Sequence, residues 1–265
     1  MINALRSELL RTRRKAVVLG WFGLTVLFTA LINMVIAQVV GDSGTRPTTG
    51  PGVSFPTLDR WQSADGITAG LSSAASMYGV VALSFWAIVT AGDYSSGLIR
   101  LTASAHPDRV RLLLGKVGAL ALWTAAVTTV ALLANLLIAP VAAKSAGIDA
   151  SAWGHHLLPT LASAWFNLFA TLLVWGVIGL VLAQVTRSAA VSVSVGVGYV
   201  LVVEAVITAA LKDAAQWTPG GTLSALAQGG TSSIPYGTAL ALGTVYTLLG
   251  LGVALSVFKR RDIVD

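Results

Sequence analysis

Residues 93–116 read DYSSGLIRLTASAHPDRVRLLLGK, and they separate two stretches, 66–92 and 117–143, that contain no charged side chain. Six charges fall inside this segment: Asp93, Arg100, Asp108, Arg109, Arg111 and Lys116. Asp93 is expected to N-cap a short helix carrying Leu98, Ile99 and Leu101. Pro107 ends that helix and opens a second one, with Asp108 in its first turn, where a negative charge suits the helix dipole. The second helix is basic and feeds into the next apolar run. The pattern is a hydrophilic elbow between two apolar helices, a surface that something outside the membrane can grip.

The rest of the chain follows the same alternation. A mean hydropathy of +0.79 goes with 55% hydrophobic and 11% charged residues, which excludes a soluble globular domain. The expected fold is an all-α integral membrane protein with six transmembrane helices, one permease domain over residues 1–265. Ile2, Leu5 and Leu9 recur at helical spacing with Arg6 and Arg13 opposite, which predicts an interfacial helix over 1–15. The run 16–40 is 25 residues long and charge-free, enough to cross a ~30 Å core and too long for the ~7–15 residue core of a signal peptide. Further spans are expected over about 70–91, 117–139 (ended by Pro140), 160–185, 188–211 and 238–258. Between them, 41–70, 141–159 and 212–235 read as exposed segments, the first with a short helix at 58–62.

Charge placement orients the chain. With both termini in the cytoplasm, 13 of the 17 basic residues lie inside, leaving Arg46, Arg60, Lys144 and Lys212 outside. The elbow is then cytoplasmic. A net charge of +6 clustered at span ends is a topology signal and not a nucleic-acid footprint.

Catalytic patterns are few. There is no phosphate-binding Gly-x-x-x-x-Gly-Lys-Ser/Thr: Gly115-Lys116 is followed by Val117. Cysteine is absent, no His-Glu-x-x-His occurs, and His106, His155 and His156 all fall in loops. No catalytic residue and no metal ligand set is expected. Small residues recur within spans, among them Gly176/Gly179, Ser192/Gly196, Ser194/Gly198 and Gly243/Gly250, a spacing that favours close helix packing. Counted from the cytoplasmic boundary, Asn33, Asn135, Asn167 and Glu204 all rise to about 24–29 Å. Those four form a candidate substrate path or polar layer. Glu204 is the one charge within the predicted spans, and an ionisable group at that depth is expected to face water or a polar partner. Polarity returning near the headgroups is the competing reading of the layer.

The order of basic helix, span, outer loop, span, elbow and span resembles the ABC transporter type-2 permease family. The elbow residues Asp93, Gly97, Ile99 and Arg100, then Pro107, Arg109 and Lys116, carry the resemblance, and the ending Phe258-Lys259-Arg260-Arg261-Asp262 is similar to the family's usual C terminus. Many members have Glu where Asp93 stands. The resemblance spans the whole chain and implies a multi-pass plasma-membrane subunit of an ATP-driven exporter of a hydrophobic or amphipathic substrate. It further implies two separate ATP-binding-cassette subunits as partners, a second copy of this chain or a similar permease, and surrounding lipid, with no nucleic acid. ATP and Mg would sit on the partner subunit and no cofactor on this chain. The elbow would be the coupling helix, with Asp93, Gly97, Leu98, Ile99, Arg100, Leu101 and Arg109 as the ATPase-coupling set. The alternative is an ATPase-independent six-span protein: a small secondary transporter, a channel or an assembly factor. Charge pairs at mid-membrane, usual in secondary transporters, are missing here.

Overall fold

The computed structural model describes residues 2–12, 15–41, 49–50, 53–97, 109–211 and 216–260. It is almost entirely helical, with six helices long and apolar enough to cross a membrane. The chain is a multi-pass membrane protein. Helix α1 (Ile2–Thr12) lies at one end of the bundle, its base, and is followed by the first span, α2 (Lys15–Gly41). A hairpin of two two-residue strands pairs Thr49 with Ser54 and Gly50 with Val53. Short helices α3 (Leu58–Gln62) and α4 (Gly66–Ser73) form part of the opposite end, the cap, and lead into the second span, α5 (Ala75–Ser95). The third span belongs to α6 (Arg109–Ser145) and the fourth is α7 (Leu157–Thr186). The fifth is interrupted: α8 (Ala189–Gly198), a π-helical turn at Tyr199–Val203, then α9 (Glu204–Ala210). Helix α10 (Pro219–Ala227) precedes the sixth span, α11 (Tyr236–Arg260).

Helical periodicity decides which face of each span is buried. On α2 the buried positions are Trp21, Thr25, Thr29, Ile32, Asn33, Ile36, Ala37 and Val40, a stripe of three- and four-residue steps, while Leu19, Leu27, Leu31 and Met34 point outward. Inside, Trp21 stacks on Phe85 with ring centroids 3.8 Å apart.

The most extensive helix contact joins α5 to α7, and glycine makes it possible. Trp175 of α7 lies over Gly79 of α5, and Trp86 of α5 lies over Gly176 of α7. Gly179 faces the Leu83 carbonyl, and Gly196 of α8 takes the Leu83 side chain. Each backbone thus receives the other's largest side chain at a point where a Cβ would collide. Gly250 accommodates Val177 in the same way, whereas Gly198 meets nothing within 4 Å.

Three segments differ from the sequence expectation. Pro140 does not end the third span: α6 continues to Ser145, with the proline on an exposed face and Ala142 and Ala143 buried just beyond it. Buried alanines hold the final turn against the cap, offsetting the one backbone bond that proline cannot make. Segment 212–235 is not simply exposed, because α10 buries Thr222, Leu223, Ala225 and Leu226 between α7 and α11. Thr218 caps this helix, accepting from the Gly221 amide at 3.2 Å, and Pro219 occupies its first turn. Within 41–70, the short helix at 58–62 is observed, but Trp61 is fully buried and Gly66 through Leu71 line the interior. The Trp153 indole donates to the Trp61 carbonyl at 2.7 Å, which closes the cap over α4.

Candidate functional site

The base of the bundle gathers four charged side chains from three helices. Asp93, in the last turn of α5, accepts from Arg11 of α1 at 2.8 Å and from the Lys116 ammonium of α6. Arg11 also pairs with Glu8 at 2.7 Å. Two anions and two cations balance, which matters because Glu8 and Lys116 are each only 7% exposed. The same contact is extended by the Trp123 indole, which donates to Thr12 at 3.0 Å, while Thr12 bonds back to the Glu8 carbonyl. Burial pushes the Glu8 carboxyl above the usual range, opposed by Lys116 and then Arg11. The turn between α7 and α8 reaches this region too: Arg187, at φ 55°, lies over the Tyr94 ring at 5.9 Å.

This arrangement revises the expectation for Asp93. Asp93 lies inside α5 and not at a helix start: its carboxylate sits at the C-terminal end of α5, where a negative charge is unfavourable to the dipole unless cations answer it. Arg11 and Lys116 answer it. The edge of α1 that is buried is Glu8 and Thr12, while Leu10 is exposed. Gly97, at φ +67°, follows α5 with no atom of the described residues near its would-be Cβ, so the chain leaves α5 through a left-handed conformation that glycine adopts freely. Leu98, Ile99, Arg100 and Leu101 lie outside the described residues, as do Pro107 and Asp108. Arg109 begins α6, but its side chain is outside the description.

The four polar residues counted to one height divide into three separate sites. Asn33 and Asn135 join α2 to α6: Asn33 Nδ2 donates to Asn135 Oδ1 at 2.9 Å and to the Thr29 carbonyl at 2.8 Å. Asn135 Nδ2 donates in turn to the Ile67 carbonyl of α4 at 2.6 Å. Both asparagines are fully buried, and a Cβ on Gly70 would lie 2.5 Å from Asn33 Oδ1. This is a cross-link among three helices, closed to solvent.

Asn167 faces elsewhere. It accepts from the Tyr236 hydroxyl at 2.8 Å and lines a cavity of about 340 Å³ in the cap. Arg60, which donates to the Gln228 side chain at 3.0 Å, and Asp65, which accepts from Thr160 at 3.0 Å, also line it. Glu204 reaches neither asparagine. Its Oε1 accepts from the Gly220 amide at 2.6 Å, at the start of α10. Height along a span is set by residue count, but facing turns by 100° per residue, so equal height does not bring side chains together.

Residues outside the sequence-derived coupling and polar-layer sets thus prove central: Glu8 and Arg11 at the base with Lys116, which the sequence marks only as an elbow residue, Arg60, Gln228 and Tyr236 in the cap, and Tyr199 and Gly220 beside Glu204. Only Thr218-Pro219, a cap followed by a first-turn proline, signals in sequence that a helix starts beside Gly220. Among the described residues, no group of three or more His, Asp or Glu side chains is placed to hold a metal ion. Comparison with known proteins gives no match, either to a family model or to a curated protein.

Proposed function

We propose that this chain is the membrane subunit of an ATP-driven exporter of the type-2 permease kind, moving a hydrophobic or amphipathic substrate across the plasma membrane with ATP hydrolysed by a separate subunit. In this reading both termini and the elbow are cytoplasmic, and the assembly holds two such permeases and two ATP-binding-cassette subunits. The distribution of basic residues supports the orientation. The observation that carries the reading is the anchoring of both ends of the elbow. Asp93, where the elbow leaves α5, and Lys116, where it has entered α6, are bonded to each other, and Asp93 is also bonded to Arg11 of α1. A push on residues 98–108 therefore loads three helices at once. The reciprocal tryptophan–glycine packing passes the load from α5 to α7. Close-packed interiors transmit such displacements because they have little room to absorb them.

The test is a reconstitution of this chain with an ATP-binding-cassette subunit from a neighbouring reading frame, if one encodes it. Leu98→Asp combined with Ile99→Asp should leave membrane insertion intact, abolish co-purification of the two proteins and remove permease-dependent ATPase activity. Unchanged co-purification and unchanged ATPase activity in that variant would refute the coupling role. If no neighbouring ATP-binding subunit associates with the wild-type chain, the ATPase-independent reading takes its place.

A further inference from the structure

On the flank where the fifth and sixth spans meet α7, the bundle holds a groove of about 430 Å³. That volume is in the range of small-molecule sites, about 300–1,000 Å³. Its lining is apolar and aromatic: Trp175 and Ile178 from α7, Val195 and Tyr199 from the fifth span, Tyr246 and Leu249 from α11. Val195 and Leu249 are 50% and 63% exposed, so the rim opens sideways toward the surrounding membrane. Glu204 does not line the groove but stands just behind its end nearer the cap: its carboxylate accepts from the amide of Gly220, the residue after Pro219, and both Pro219 and Tyr199 line the groove. Tyr246 donates to the Trp217 carbonyl at 3.5 Å near the same end.

Three features mark Glu204 as more than a structural acceptor. It stands inside the fifth span, six residues short of Ala210 and as deep as Lys116, whereas Asp93 and Lys144 lie within two residues of their span ends. It follows directly on a π-helical turn, a rare feature found frequently at functional sites. Its bond to Gly220 also leaves acceptor capacity unused, since an ionised carboxylate offers about four lone-pair sites. Carboxylate and aromatic faces beside an apolar channel share one preference. The carboxylate attracts a cation, and the faces of Trp175, Tyr199 and Tyr246 attract one through their quadrupoles.

We propose that this groove is a binding site for hydrophobic organic cations, an amine or a quaternary onium group on an apolar body, which enter from the membrane and place the cation at Glu204. A neutral lipid would fill the channel without answering the carboxylate, and an anionic amphipath would be repelled by it. In naming a transport substrate this inference rests on the permease function proposed above; in naming a ligand it does not.

The test uses two probes of nearly equal shape and opposite charge, tetraphenylphosphonium and tetraphenylborate. The full chain in lipid nanodiscs, with empty nanodiscs subtracted, should bind labelled tetraphenylphosphonium saturably. Unlabelled tetraphenylphosphonium should displace it and tetraphenylborate should not. Glu204→Gln should weaken binding by about tenfold. Its amide oxygen still accepts from Gly220, so thermal stability should stay near wild type. Val195→Trp fills the rim from an exposed position and should weaken binding without touching Glu204, an arm that stands even if Glu204→Gln fails to fold. Non-saturable binding, equal displacement by the borate, or wild-type affinity in a folded variant would overturn the proposal. With the ATP-binding subunit present, charge-selective binding that never alters ATP hydrolysis would keep the site and overturn the permease reading.

Discussion

Gly176→Ala adds one carbon at the centre of the α5–α7 contact, and the surroundings of that carbon set the sign of the effect. In an open helix the change should stabilise by about 0.5–1 kcal/mol, because alanine loses less backbone entropy than glycine. Here the new Cβ would lie 2.6 Å from both Cδ2 and Nε1 of Trp86, a side chain with no exposure. The ring cannot retreat without cost, because its Nε1 donates to Thr124 Oγ1 of α6 at 3.0 Å. Overpacking costs about 1–3 kcal/mol. Losing a buried hydrogen bond and leaving its partners unsatisfied costs a further ~1–3 kcal/mol. After the propensity gain, the net loss is about 1–5 kcal/mol. At roughly 2–4 °C per kcal/mol, that lowers the melting temperature by about 2–20 °C. Thermal unfolding of the full chain in detergent, followed by far-ultraviolet circular dichroism, measures it. Gly198→Ala is the control, since nothing lies within 4 Å of that position, and it should melt at or slightly above the wild type. In a Thr124→Ala background the indole bond is already gone, so Gly176→Ala should cost less there. Equal melting temperatures for Gly176→Ala and Gly198→Ala would refute the interlocked packing.

Three further predictions concern the base and the orientation. Asp93→Asn leaves the buried Lys116 without its counter-charge and should release α1, read as hydrogen exchange across residues 2–12 faster by about 30-fold or more, the equivalent of about 2–4 kcal/mol for a broken partly buried network; unchanged exchange would remove the network from the account. Because the folded Glu8 carboxyl is raised, its contribution is fully present below the ordinary carboxyl range and is lost as pH rises through the folded value, so Glu8→Gln should flatten that part of the stability profile. For orientation, the chain has no cysteine, and single cysteines at Thr48, Ser145 and Ser232 should react with an impermeant thiol reagent on intact cells while one at Ala105 should not. The serines are chosen over the nearby Gly147 and Gly230, whose φ values of 67° and 101° would strain any side chain. Labelling at Ala105 would invert the topology and end the coupling proposal.

The spans were legible because burial in lipid demands long charge-free runs, and 16–40 or 117–139 cannot be read otherwise. Their packing partners were only half legible. Gly176, Gly179 and Gly250 announced close approach by spacing, yet nothing local distinguishes them from Gly198, which packs on nothing. The base network was hidden because it is non-local: Asp93 is 82 residues from Arg11 and 23 from Lys116. In a one-dimensional reading Asp93 could only look like a cap for its neighbours. Helix α10 was missed for another reason. Segment 212–235 read as exposed, whereas Gly220 is required where the Glu204 carboxylate approaches the backbone too closely for any Cβ, and the Gly221 amide feeds the Thr218 cap.

The wide sequence separation within the base network also fixes when α1 can settle during synthesis. Its partner on α5 emerges 82 residues after Arg11, and Lys116 follows 23 residues later. At ~5–20 residues per second, α1 waits for roughly 5–20 s without its ionic partners. Through that interval its tether to α2 and its affinity for the membrane surface hold it near the bundle. Helix α1 therefore docks only as the third span emerges, and bulky additions ahead of it should harm that step while leaving the first span free to insert.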